Sequence, residues 1–311
     1  MKLFVGYQMC ATDGFLQSIL ANREKIQEVY FSWDTMPSGR SIVGLQQDLY
    51  PWEAAARQRE ELAKIANAGI GLNLLLNANC YGSQSLARNF YQSTGDLVDF
   101  LQREMNLVSV TTTSPIIGRF LRDNFSGLDI RASVNMEIGT AEGMDYLSDS
   151  FDSYYVKREL NRDMEAIRQL RRHADETGKK LYMLANSGCL NNCSARQFHD
   201  NLVAHEQEIA KMDNAYQFSG ICRDYLKDPR HHKSLIEDTS FIRPEDVQKY
   251  EPYFDSMKLA TRVHRCPEMV LQTYIRARYS GNILELLEPA HSIYPYVVEN
   301  GDPLRIVKIG E

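Results

Sequence analysis

The run GIGLNLLLN, residues 69–77, sets the reading of the whole chain. It is apolar almost without interruption and is bounded by glycine and asparagine. A strand of that kind is buried on both faces, as in a parallel sheet covered by helices. The flanking segments agree. Residues 54–68 place Ala55, Leu62, Ile65 and Ala66 near one helical face, and residues 94–104 do the same with Leu97, Phe100 and Leu101. Outward from there the pattern repeats. Strands are expected at LFVGY (3–7), VYFSW (29–33), LVSVTTT (107–113), DIRASVNM (129–136), DSYYVKR (152–158), KLYMLAN (180–186) and SMKLATR (256–262). Helical stretches lie between them at 16–26, 116–124, 141–147, 161–177 and 244–250, and Gly178 supplies a C-terminal stop for the clearest one.

Eight strands, each reached through a helical crossover, predict an α/β fold, a (β/α)8 TIM-like barrel over residues 1–290. An open doubly wound sheet is the alternative. It fits less well, because it has fewer strands and no G-x-G-x-x-G follows the first one. Residues 186–255 form a long excursion between strands seven and eight, too long for one helix, and excursions of that length are usually functional. The tail, 291–311, is expected to pack on the barrel as a small hairpin turned at Asn300–Gly301.

Composition narrows the function. The 311 residues are 43% hydrophobic and 24% charged, as in ordinary globular proteins. A net charge of −6 and a pI near 5.7 argue against a nucleic-acid partner, which needs a basic face. No stretch is long and apolar enough to enter a membrane, and the apolar run after Met1 is too short for a signal segment. A cytoplasmic location with reduced thiols is the expectation.

Six cysteines are too few for a disulfide scaffold. Barrel chemistry takes place at the C-terminal ends of the strands. Cys189 and Cys193 form C-x3-C just after strand seven, Cys222 lies in the excursion, and Cys266 follows strand eight. Four thiols near two neighbouring strand ends suit zinc or an iron–sulfur cluster, and the single C-x3-C with a later Cys-Pro step suits [4Fe–4S] somewhat better. Buried, separate thiols are the competing account. Cys10 and Cys80 follow the first and third strands without an assigned role.

NSGCLNNCSARQFHDN at 186–201 resembles the signature of the peptidase U32 family. FSGICRDYLKDP (218–229), SFIRPEDVQKYEPYFDSMKLATR (240–262), Cys266 and NLLLNANCYG (73–82) continue the resemblance, which is densest over 154–289. It implies a (β/α)8-like barrel with a [4Fe–4S] cluster held by Cys189, Cys193, Cys222 and Cys266. It also implies oxygen-independent hydroxylation of tRNA, rRNA or quinone precursors, with prephenate as the oxygen donor. Some relatives act in pairs, so a second U32-like subunit is an implied partner. Two departures go with it. Ser187 stands where glutamate is common, and the chain is short beside the RNA-acting relatives. With the negative charge, this points to a small-molecule or carrier-bound substrate.

Other residues belong to the same strand ends. Asn77, Asn135, Lys157, Arg158, Arg196, Lys258 and Arg262 are candidate substrate-binding groups, since arginine offers carboxylates a bidentate fork; rim ion pairs are the competing account. Glu137, Arg158 and His199 are candidate catalytic groups, Glu137 as acid or base and His199 as proton shuttle. Trp33 and Asp34 either line a pocket or pack. No G-x-S-x-G, P-loop or H-E-x-x-H is present, which weakens a serine or zinc peptidase. A hydrolase would have to use Cys80, and a non-catalytic iron–sulfur partner subunit is a further alternative.

Overall fold

The computed structural model describes residues 1–33, 36–39, 49–205 and 221–291, and the backbone of 296–298 and 306–308. Eight parallel strands close into a barrel in sequence order: β1 (Lys2–Gly6), β2 (Ile26–Phe31), β3 (Gly71–Leu76), β4 (Leu107–Thr112), β5 (Asp129–Ala132), β6 (Ser153–Tyr155), β7 (Lys180–Leu184) and β8 (Ser256–Leu259). β1 pairs with both β2 and β8, so no edge is left. The seam is fastened at the mouth by Thr261, which accepts from Gly6 N–H at 2.8 Å and donates to Gly6 O at 3.0 Å. The helices on the outside are α1 (Gly14–Ala21), α2 (Pro51–Asn67), α3 (Arg88–Glu104), α4 (Pro115–Asn124), α5 (Ala141–Asp145), α6 (Met164–Thr177), α7 (Arg196–Ala204) and α8 (Pro267–Arg276). The expected barrel is therefore the observed one.

Local chemistry sets the helix limits. Ser114 caps α4 by accepting Ile117 N–H at 3.3 Å, with Pro115 at the first helical position. Asp163 caps α6 by accepting from Glu165 N–H and Ala166 N–H at 3.2 and 3.0 Å, and Gly178 ends it at φ +67°. The strands stop one to four residues earlier than the sequence pattern suggests, and at two of them a turn takes over. β5 ends at Ala132, where Ser133 accepts Asn135 N–H at 3.3 Å and turns 134–136 into a 3₁₀ turn. β6 ends at Tyr155, and Arg158–Arg162 is a 3₁₀ turn.

Strand alternation builds an interior with distinct levels. At the N-terminal end Arg131, fully buried, donates from Nη1 to Glu28 Oε2 at 3.0 Å and from Nη2 to Glu28 Oε1 at 3.2 Å and Asp129 Oδ2 at 2.6 Å. Glu28 Oε2 also accepts from Ser109 and Asn73. The Arg131 guanidinium lies 4.6 Å from the Phe4 ring centroid and 4.1 Å from that of Tyr182. Phe4, Tyr30, Leu75, Val134, Tyr155, Tyr182 and Leu184 pack together above it as a cluster separate from the larger core between barrel and helices. Gly6 makes room for this layer: a Cβ there would stand 2.7 Å from the Tyr30 ring.

The excursion between β7 and β8 carries α7, a short helix at Ile221–Tyr225, another at Ser234–Glu237 and a 3₁₀ segment at Pro244–Tyr250. Its return limb is tied down by Asn161, which donates to Leu184 O and Ser240 O, both at 2.8 Å. Arg162 adds a bond to Phe241 O at 2.9 Å and lies over the Phe241 ring. At the C-terminal end β9 (Tyr296–Val298) and β10 (Ile306–Lys308) pair antiparallel, as the hairpin expectation requires, and β9 contacts the turn Ile283–Leu286. Its turn at 300–301 lies outside the described residues. No helix among the described residues is long and apolar enough to cross a membrane.

Candidate functional site at the barrel mouth

The C-terminal ends of the strands surround a cavity of about 690 Å3, its solvent-open part included. Asn77, Asn135, Arg158, Cys189, Lys258 and Arg262 line it. Residues from five strand ends, far apart in sequence, thus share one space. The interior layer closes it below through Tyr30, Leu75, Val134 and Leu184.

Lys258 is 8% exposed, and its Nζ lies 4.0 Å from the Tyr30 ring centroid and 5.1 Å from that of Tyr155. Among the described residues no carboxylate forms an ion pair with it. Burial, and next the charges of Arg262, Arg131 and Arg158, hold its ammonium well below the usual lysine range. Burial likewise pushes the Tyr30 hydroxyl up to about 12, and that hydroxyl donates to Leu259 O at 2.7 Å.

Arg158 donates from Nη2 to Asn135 Oδ1 at 2.7 Å, while its buried Nε has no partner among the described residues. Arg262 donates from Nη1 to the Ser38 hydroxyl at 2.8 Å and to that of Ser32. Asn77 Oδ1 accepts from the Ser38 hydroxyl and Gly39 N–H, both at 3.2 Å. Three basic side chains therefore face a space whose wall also holds Asp200 and Glu288.

Arg196 is turned to a different task. Its Nη1 donates to Glu137 Oε1 at 3.0 Å and to Glu159, and Nη2 donates to Leu190 O at 2.8 Å. Burial raises the Glu159 carboxyl, but its own backbone N–H and Arg196 more than offset this and hold it below the usual range. Glu137 is thus placed in an ion pair, on a residue with φ +53°. Lys157 lies outside the cavity wall, with its stem against Gly139. His199 is half-buried in α7, one residue before the cavity-lining Asp200. Trp33 is packed edge-on against Phe31 and Phe100 under Arg59, and Asp34 lies outside the described residues.

All six cysteines are free thiols. Burial raises the Cys222 thiol, and the neighbouring charges of Cys189 and Cys193 raise it further, so these three lie within electrostatic reach of one another. Cys189 also adjoins the cavity and lies within reach of Arg196. Cys266 is exposed at the start of α8, and its backbone N–H donates to His264 Nδ1 at 3.0 Å. Among the described residues no three His, Cys, Asp or Glu side chains stand in metal-holding geometry. In kind, the donor set fits a thiolate-bound iron–sulfur group. Cys80 accepts Gly82 N–H at 3.4 Å, and His205 Cε1 lies 4.0 Å from where a Cβ on Gly82 would stand.

Tyr30, Ser187, Asp200 and Glu288 also line the cavity and were not among the expected residues. For Tyr30 the signal was its alternation with Glu28 on β2, which puts both on the interior face.

No protein-family model matches the chain. It is 27% identical over 254 residues to a protein of Methanocaldococcus jannaschii named as an uncharacterized protease, covering 78% of this chain and 72% of that one. Among solved structures, that of the U32 peptidase Mk0906 superposes with a TM-score of 0.56 at 15% identity, covering 83% of this chain and 91% of that one. At that identity the likeness is one of fold: this chain has the barrel architecture of a U32 peptidase structure and is similar in sequence to a protease-named archaeal protein.

Proposed function

We propose that this chain is a U32-type barrel enzyme that binds a small or carrier-bound anionic substrate at the mouth. Beside it, Cys189, Cys193, Cys222 and Cys266 hold a [4Fe–4S] cluster. The observation that carries the reading is the meeting of Arg158, Lys258 and Arg262 with Cys189 in one cavity wall. When bound, such a cluster supplies one-electron chemistry. The residues of this chain do the rest. Arg158 and Arg262 orient a carboxylate, Asn77 and Asn135 fix neighbouring polar groups, and the aromatic layer excludes water from below. Oxygen-independent hydroxylation, with prephenate as oxygen donor, is the chemistry that the U32 resemblance adds. A second U32-like subunit would bring the partner that such chemistry uses in pairs.

Anaerobic purification followed by iron, sulfide and EPR analysis tests the cluster. About four irons per chain are expected, with most of the iron lost in Cys193→Ala. Stoichiometric zinc, or full iron retention in that variant, overturns the assignment.

Proteolysis is the second reading, favoured by the name of the M. jannaschii protein and by the placement of both Cys80 and His205 near Gly82. Peptide cleavage that survives loss of iron and disappears in Cys80→Ser would establish it in place of the first.

A further inference from the structure

Lys258 does not behave as an ordinary barrel-rim cation. It projects from the C-terminal half of β8, where barrel enzymes place reacting groups, and it reaches the cavity. Its Nζ lies over the Tyr30 and Tyr155 rings, 4.0 and 5.1 Å from their centroids. Arg262, Arg131 and Arg158 lie within electrostatic reach of it and outweigh Glu28, and among the described residues no carboxylate forms an ion pair with it. A lysine placed for stability would have an acidic partner, because an unpaired buried ammonium is costly. Burial and the nearby arginines hold this ammonium well below the usual lysine range, and one of those arginines, Arg158, has a buried Nε with no partner among the described residues.

We propose that Lys258 is a nucleophilic amine that condenses with the carbonyl of a small aldehyde or ketone whose carboxylate is held by Arg158 and Arg262. The inference rests on the reading of the mouth as an anion site and adds a covalent step to it. The nitrogen lone pair forms the C–N bond as the C=O π pair moves to oxygen. One proton passes from nitrogen to that oxygen and gives a carbinolamine. Loss of the second N–H proton with the hydroxyl releases one water and leaves the imine. No oxidant or reductant enters. The two arginines place the carboxylate so that the adjoining carbonyl faces Nζ, which lies over the Tyr30 and Tyr155 rings.

Trapping tests this on the full-length chain. With pyruvate and sodium borohydride, intact-mass analysis is expected to show one reduced adduct per chain, mapped to the peptide that contains Lys258. The Lys258→Arg variant keeps a long basic side chain at this position without a nucleophilic amine and should lower the adduct by at least about tenfold. Lactate, which has the carboxylate but no carbonyl, should compete in the wild type. In the unsubstituted protein, limited modification with trinitrobenzenesulfonate should label Lys258 ahead of the exposed lysines, a readout that needs no variant. An adduct on another lysine, or an undiminished one in Lys258→Arg, overturns the proposal. If pyruvate binding is detected calorimetrically and lost in Arg158→Gln but no adduct forms, Lys258 is not the nucleophile and the anion site stands. If neither pyruvate nor lactate binds, the anion-site reading falls and this inference with it.

Discussion

Arg131 shows how one residue can hold a barrel's lower interior. It has no exposed surface, yet Glu28 and Asp129 accept three hydrogen bonds from its two Nη groups, Ser153 accepts from Nε, and the Phe4 and Tyr182 rings face its planar cation. Glu28 and Asp129 hold the Arg131 guanidinium well above its usual range in spite of the burial. Removing such a partner strands two buried charges. Arg131→Leu should therefore cost about 3–5 kcal/mol, seen as a lower urea midpoint; a loss under about 1 kcal/mol would mean that water reaches Glu28 and Asp129 and replaces the guanidinium. At this scale the sequence was partly legible. Arg158, Lys258 and Arg262 were readable as mouth residues because each ends a strand. Arg131 was not, since a charge within a short β-branched run looks like a surface position until closure of the barrel brings β2 opposite β5. Arg196 was read as a substrate group, and the structure shows its fork directed at Glu137 and Glu159, two acids that only the excursion brings to it.

The strands and their order were legible because parallel, doubly buried strands leave continuous apolar runs. The excursion was less so. Its helix α7 buries only Arg196, so no apolar period marks it, and the return limb is held by single polar side chains rather than by a pattern. Asn186 is the clearest of these. Fully buried, it donates to Ala260 O at 3.1 Å and Leu286 O at 2.8 Å and accepts Ala260 N–H at 2.7 Å. It joins the end of β7, the end of β8 and the turn before the tail. Asn186→Leu fills a similar volume but leaves these backbone groups unpaired, at about 1–3 kcal/mol each. The expected result is a destabilised protein with faster proteolytic cleavage in 186–255. Unchanged cleavage would show that the excursion is held by Asn161 and Arg162 without it.

Over the whole molecule, a chain of net charge −6 brings the basic side chains of Arg158, Lys258 and Arg262 to one cavity, where they draw anions. Paired carboxylates elsewhere make folding acid-sensitive. Burial raises Asp129, but Arg131 and Ser153 more than offset it and hold its carboxyl below the usual range; Glu159 is lowered likewise. A carboxyl depressed in the folded state contributes stability above its unfolded pKa and loses that contribution as pH falls toward the folded value. The urea midpoint should thus be level near neutrality and fall from about pH 4 downward. The slope should be shallower in Arg131→Leu; an equal slope in both proteins would place the titrating groups elsewhere.

Gly6 has a consequence for traffic. Because it lacks a side chain, the Tyr30 ring fills the barrel's waist, and with Phe4, Tyr155 and Tyr182 it stops the bore. Among the described residues nothing therefore passes through the barrel, so product leaves on the side from which the next substrate arrives, and turnover becomes a queue.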